Sequence, residues 1–146
     1  MVRSVVRYAL ATLAALTLAA CESTTLAGPA VEITPDQPQY TAGGEVTLTL
    51  RNLGDEPLAY SFCTQVIQRK SSAGWITEHL EAHPCTAVLL TVNPGEEVTG
   101  HVDLPADLPA GTYRVYLPGI GEYMEDETSA AVQARKSSRS FKVTAG

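Results

Sequence analysis

The chain has 146 residues, with 16 acidic and 10 basic side chains and a formal net charge of −6 at pH 7. A surface of this sign repels nucleic acid and anionic lipid headgroups, so we expect no nucleic-acid partner. The length suits one domain of ordinary size.

The first 20 residues have the three parts of a secretory signal peptide. Arg3 and Arg7 supply a basic start, an apolar segment follows, and small residues end it at Ala20. The apolar segment is about 13 residues long, whereas a membrane-spanning helix needs about 20. We therefore predict a signal peptide over residues 1–20 that is removed, leaving a chain with a net charge of −8.

The end of this segment, Leu18-Ala19-Ala20-Cys21, resembles the lipobox of bacterial lipoproteins. The resemblance implies that Cys21 receives a diacylglyceryl thioether, that the chain is cut before it, and that the new amino group is acylated, typically with palmitate. Two or three acyl chains make membrane attachment durable, whereas one is marginal. The expected location is the cell envelope, facing the periplasm or the exterior. An ordinary signal peptide cut nearby and an uncut anchor are the alternatives, and Glu22 does not decide between inner and outer membrane.

Residues 21–30 are small and polar with Gly and Pro, which is typical of a flexible tether, so the folded domain is expected over residues 31–146. Within it, apolar residues recur with a period of two, which indicates half-buried strands. In Glu45–Asn52, for example, Val46, Leu48 and Leu50 share one face. Strand patterns with close turns recur at Leu58–Phe62, Val66–Lys70, Trp75–Glu78, Ala87–Val92, Val98–Leu104, Tyr113–Leu117 and Phe141–Val143.

Seven to eight short strands with frequent turns predict an all-β fold, an antiparallel immunoglobulin-like β-sandwich. Leu108–Tyr113 has the sequence of a tyrosine corner, in which the tyrosine hydroxyl bonds to upstream backbone. Residues 31–144 resemble bacterial immunoglobulin-like domains and are similar to the BsuPI-type proteinase inhibitor domain. After Phe62, however, Cys63-Thr64-Gln65 replaces the Ser-Gly-Gln of that domain, so we assign no inhibitory residue.

Two cysteines, Cys63 and Cys85, remain after lipidation, and an exported chain favours a disulfide between them. The alternative is a zinc site formed by these cysteines with His79 and His83, but the spacing matches no zinc signature. The three histidines, including His101, belong to no catalytic motif, and no phosphate-binding loop or nucleophile elbow is present. We therefore expect neither an enzyme nor a cofactor.

The segment 118–139 is far longer than the few residues that a hairpin needs. Acidic residues come first and basic residues last, which favours a short helix over residues 128–136. A solvated loop is the commonest explanation of such a charge run, and a calcium site lacks the spaced acidic pattern. The alternative is a partner-binding loop, whose candidate contact residues are Tyr123, Met124, Glu125 and Asp126.

The sequence thus predicts a monomeric lipoprotein, attached to the membrane by lipid on Cys21, whose domain is a protein-binding or adaptor module for another envelope protein. A proteinase inhibitor is the alternative function, and a metal-binding protein is a third.

Overall fold

The computed structural model describes residues 30–82, 89–121 and 129–146. These residues form ten strands and one short helix, so the fold is all-β, as predicted. The elements in chain order are β1 (Val31–Pro35), β2 (Gln39–Thr41), β3 (Glu45–Asn52), β4 (Leu58–Tyr60), β5 (Thr64–Ser71), β6 (Gly74–Ala82), β7 (Leu90–Val92), β8 (Glu97–Asp103), β9 (Gly111–Tyr116), α1 (Ala130–Arg135) and β10 (Phe141–Thr144).

The strands form a five-stranded sheet in the order β2-β10-β9-β5-β6, a three-stranded sheet in the order β1-β3-β8, and the two-stranded pair β4-β7. Every pairing is antiparallel except that of β2 with β10, which is parallel. The result is the predicted sandwich-like arrangement, in which the inward faces of the sheets enclose one apolar core.

The apolar residues that recur at every second position of the sequence are the buried ones. On β3, Val46, Leu48 and Leu50 are fully buried, because alternate side chains of a strand point to the same face. The five-stranded sheet contributes Ile67, Tyr113, Val115, Phe141 and Val143 to the same core. Gln65 is also buried there, and its Nε2 donates to the His101 carbonyl at 2.8 Å, which joins β5 to β8 across the sandwich.

The predicted tyrosine corner is present. The Tyr113 hydroxyl donates a hydrogen bond to the Pro109 carbonyl at 2.6 Å, and the tyrosine ring lies in the core. Burial of the phenol is the main reason that the pKa of Tyr113 is raised above its ordinary value. This bond ties the β8–β9 connection to the start of β9.

The chain crosses from the three-stranded to the five-stranded sheet between β1 and β2. Asp36 lies in this connection and bonds to residues of both sheets. Its carboxylate accepts hydrogen bonds from the Tyr40 hydroxyl at 2.6 Å and from the Thr47 backbone N–H at 3.0 Å. The bond from Tyr40 is the largest cause that lowers the pKa of Asp36. Burial, followed by the bond to Asp36, raises the pKa of Tyr40 to about 12.

Strand boundaries differ from the predicted ones where tertiary pairing extends or shortens a strand. β6 continues to Ala82 because it pairs with β5 beyond a bulge at Glu78, so His79 lies in a strand and not in a loop. β7 is limited to Leu90–Val92 by its pairing with the short β4. Strands β1 and β2 bring the total among the described residues to ten.

Candidate functional site

The outer face of the five-stranded sheet carries a cluster of basic residues. Gln68 lies opposite Arg114, Lys70 lies opposite Trp75, and Lys142 lies opposite Thr112. Residues two apart on a strand share a face, and the intervening Ile67, Tyr113 and Phe141 belong to the core. We call the outward set of Lys70, Trp75, Arg114 and Lys142 the basic face.

No acidic side chain is seen to balance these charges within the described strands. Glu78 is the one acidic residue of this sheet whose side chain the structure describes, and its carboxylate pairs with Arg69 Nε at 2.5 Å. Arg69 lies opposite the core residue Tyr113, so this ion pair belongs to the other side of the sheet. Among the described side chains, those of the basic face are therefore positively charged, although the protein is acidic overall.

Arg114 is the most unusual member of the basic face. Its side chain is buried, and its Nε donates to Gln68 Oε1 at 2.8 Å. Its guanidinium carbon lies 4.5 Å from the centre of the Trp75 ring, a cation–π contact. Among the described residues no carboxylate pairs with Arg114, and burial lowers the pKa of its guanidinium. A buried cation without a counterion is costly.

The Trp75 ring contacts Lys70 as well as Arg114. The Lys70 Nζ lies 5.6 Å from the centre of the same ring, so two cations contact one indole. Lys70 is exposed and Trp75 is half-buried. A partner approaching this face would therefore meet Lys70 and the Trp75 ring first, with Arg114 beneath them.

Helix α1 covers the other end of the same face. Val66 and Tyr116 point outward from β5 and β9, yet both are buried, as is Val132 of the helix. Gln68 Nε2 donates to Gln133 Oε1 at 3.2 Å, which links the sheet to the helix. The predicted short helix within residues 128–136 is confirmed. Arg114 and Tyr116, on the outer face of β9, are both buried, which the alternation of that strand does not predict.

Strand β6 ends the five-stranded sheet, and no described residue pairs with its outer edge. Two of its apolar side chains are exposed: Ile76 is 39% and Leu80 is 60% solvent-accessible. Unpaired backbone donors and acceptors along a strand edge are a template for the addition of another strand. The bulge at Glu78 divides this edge into two short parts.

The opposite, three-stranded sheet has a different charge. Glu32, Arg51 and Glu97 lie opposite one another across its three strands, and Arg51 Nε is 3.7 Å from Glu97 Oε1. On the same sheet His101 Nδ1 is 3.2 Å from Glu45 Oε1, and the His101 side chain is exposed. Here acidic and basic groups alternate and pair, in contrast with the basic face.

Most of the site residues predicted from sequence lie outside the described residues. These are Cys21, Cys85, His83, Tyr123, Met124, Glu125 and Asp126. Cys63 is disulfide-bonded, and its pairing with Cys85 stays a prediction. His79 lies in β6, and no group of three or more His, Cys, Asp or Glu side chains in the described part of the chain is placed to hold a metal ion.

The basic face is not predictable from the sequence, because a strand's alternation shows only which residues share a face and not which strands are neighbours. Lys70, Arg114 and Lys142 are far apart in the chain, and only strand pairing brings them to one face. The single local signal was the placement of Lys70 and Trp75 on either side of a Gly turn, which makes them neighbours across a hairpin. In the described part of the chain, no helix is long and apolar enough to cross a membrane.

No family model matches the chain, and no curated protein matches it. Among solved structures, an alkylpurine DNA glycosylase AlkC of Pseudomonas fluorescens, bound to DNA containing an abasic site analogue, matches 81% of this chain and 31% of its own length, with 14% identity and a TM-score of 0.42. The sporulation control protein Spo0M of Bacillus subtilis matches 82% of this chain and 51% of its own length, with 19% identity and a TM-score of 0.48. A β-glucosidase of Listeria innocua matches 81% of this chain and 16% of its own length, with 13% identity and a TM-score of 0.36. The chain thus spans about half or less of each of these proteins.

Proposed function

We propose that this protein is a cell-envelope lipoprotein, attached to the membrane through lipid on Cys21, whose sandwich domain binds another protein. The lipobox-like sequence Leu18–Cys21 supports the anchor, and the tether 22–30 would hold the domain near the membrane. The domain itself offers a surface suited to a protein partner.

The observation that carries the binding role is the edge of β6. A nine-residue strand with exposed apolar side chains ends the larger sheet, and no described residue pairs with it. Addition of a strand at such an edge is a recurrent mode of protein recognition. The adjacent Trp75 adds an aromatic group of the kind enriched at binding hot spots.

Site-specific photo-crosslinking in cells tests this role. A photoreactive residue at position 80 samples the β6 edge, and one at position 99, an exposed threonine of β8, is the matched control on the opposite sheet. We expect one discrete adduct from position 80 and also from position 77, none from position 99, and direct binding of the purified partner to the purified lipoprotein. Equal adducts from positions 80 and 99, or none from either, would remove the β6 edge as a binding site.

The same experiment separates the adaptor from a proteinase inhibitor. An adduct with a secreted proteinase whose activity falls on binding would favour inhibition, whereas an adduct with a non-proteolytic envelope protein favours the adaptor. The anchor is tested by Cys21→Ser, which we expect to move the protein from the membrane fraction to the soluble envelope fraction. Retention in the membrane fraction would contradict lipid attachment at Cys21.

A further inference from the structure

We propose that the basic face and the β6 edge together recognise an extended, acidic segment of a protein partner. The segment would add as a strand to β6 and direct its carboxylates toward Lys70, beside the Trp75 ring. This inference rests on the proposed binding function and specifies the chemistry of the ligand.

The charges argue for an anionic ligand. Lys70, Arg114 and Lys142 share one face, and neither an ion pair nor a hydrogen bond to a described carboxylate uses any of the three. Lys70 is exposed on β5, next to β6, so its ammonium group can pair with a carboxylate that a partner brings to this edge.

The position of Trp75 argues for an extended peptide as the carrier of that charge. Trp75 lies on β6 itself, and Lys70 lies opposite it on β5. A strand added beyond β6 would lie about 4.8 Å from it, with alternate side chains on the outer face. Those side chains would lie beside Trp75 and within reach of the long Lys70 side chain. The intervening side chains would lie beside Ile76 at the other face of the edge.

An anionic membrane surface is the competing ligand with the same charge. The net charge of −8 that remains after removal of residues 1–20 opposes approach to such a surface, and the opposite sheet presents Glu32, Glu45 and Glu97. A peptide, in contrast, needs only the local potential of the basic face. The peptide is therefore the ligand that the charge distribution favours.

The single tryptophan makes the proposal directly measurable, because Trp75 fluorescence reports on this face alone. The probe is a peptide of about ten residues, the length of a long strand, in which Glu alternates with Val. The lipidated protein is held in nanodiscs of zwitterionic lipid. We expect saturable binding that weakens with added salt, because exposed charges are screened. The matched peptide with Gln in place of Glu is expected to bind much more weakly, and equal binding of both would overturn the proposal.

Two N-methylated versions of the probe test strand addition. In an extended chain, only alternate N–H groups face a neighbouring strand. Methylation of one alternate set should therefore abolish binding, and methylation of the other should leave it nearly unchanged. Binding that survives both versions, or is lost equally with both, contradicts strand addition at β6.

Charge reversal at one lysine of the basic face and at one arginine of the opposite sheet localises the site. Lys70→Glu is expected to weaken binding of the Glu peptide about fivefold or more, and Lys70→Arg to retain it. The control is Arg51→Glu, which changes the net charge equally. Arg51 is exposed on β3 of the opposite, three-stranded sheet and belongs neither to the basic face nor to the β6 edge. We expect an effect below about twofold from it. Equal loss with both variants would show general charge attraction and overturn the site.

The outcomes separate this proposal from the binding function. If crosslinking from position 80 identifies a partner but the acidic peptide does not bind, the ligand chemistry proposed here is wrong and the binding role stands. If neither experiment gives a result, both fail. A fall in Trp75 accessibility to a soluble quencher when anionic lipid is added to the nanodiscs, without peptide binding, would assign the basic face to the membrane and contradict the peptide.

Discussion

Tyr113 and Tyr116 lie three residues apart on β9 and point to opposite faces of the same sheet, and both are buried. The Tyr113 hydroxyl donates to the Pro109 carbonyl at 2.6 Å. The Tyr116 hydroxyl is buried and has no hydrogen-bond partner among the described residues. Two identical side chains on one strand therefore differ in what their hydroxyl groups contribute to stability.

This difference predicts opposite responses to the same substitution. Tyr113→Phe should lower the free energy of unfolding by about 1 kcal/mol, the net value of a typical hydrogen bond. Tyr116→Phe should leave it within about 0.5 kcal/mol or raise it, because no bond is lost and a polar group is removed from the interior. Urea denaturation of the two variants measures both values. Equal destabilisation would show that the Pro109 bond contributes no more than packing does.

Gly100 predicts a steric effect. A Cβ at Gly100 would lie 2.7 Å from the Phe62 ring, so the ring approaches the β8 backbone more closely than any side chain at that position permits. We expect Gly100→Ala to destabilise the fold by about 1–3 kcal/mol through overpacking. Phe62→Leu in the Gly100→Ala background should then cost less than Phe62→Leu alone, because the smaller side chain relieves the contact. Additive costs in this double-mutant cycle would exclude the contact as the cause.

The pKa of Tyr40 predicts a dependence of stability on alkaline pH. Its folded value of about 12 exceeds the ordinary value of 10.0, so the folded state binds the phenolic proton more tightly than the unfolded state does. This contribution to stability is complete below pH 10 and is lost as the pH rises towards 12. The difference in unfolding free energy between the native protein and Tyr40→Phe should shrink over that window. In a titration followed by tyrosinate absorbance, the native protein should show one phenol with a pKa of about 12 that is absent from Tyr40→Phe. A group titrating near pH 10 instead would contradict the Asp36–Tyr40 interaction.

The bonded state of Cys63 leads to a prediction about its partner. Peptide mapping without reduction should recover Cys63 linked to Cys85. Loss of that link by Cys85→Ser should cost about 3 kcal/mol, because it closes a loop of about 22 residues in the unfolded chain. Cys21→Ser is the matched control, since it removes a cysteine from the region before the folded domain and should leave the unfolding free energy unchanged. Recovery of Cys63 linked to Cys21 would contradict the predicted pairing.

The strand pattern shows which parts of the fold follow from sequence alone. Val46, Leu48 and Leu50 are buried, as their alternation predicts, because successive side chains of a strand must point to opposite faces. The tyrosine corner was equally predictable, since it depends on a turn and a strand that are adjacent in the chain. The short helix α1 was predicted from the order of charges along one segment; Arg135 in its last turn fits that order, whereas its first turn contains no acidic residue. In each case the physical cause acts between residues that are close in sequence.

Other features of the fold depend on contacts between segments that are distant in the sequence, and only the tertiary structure reveals them. The alternation of a strand does not determine whether its outward positions are exposed or buried, so the burial of Arg114 and Tyr116 is evident only from the tertiary structure. The parallel pairing of β2 with β10 and the extension of β6 past its bulge likewise result from non-local pairing. The basic face is of this kind: Lys70, Arg114 and Lys142 are separate charges in the sequence. They share one face because β5, β9 and β10 pair in a fixed register. The electrostatic potential at a surface depends on how close the charges are in space, not on their separation along the chain.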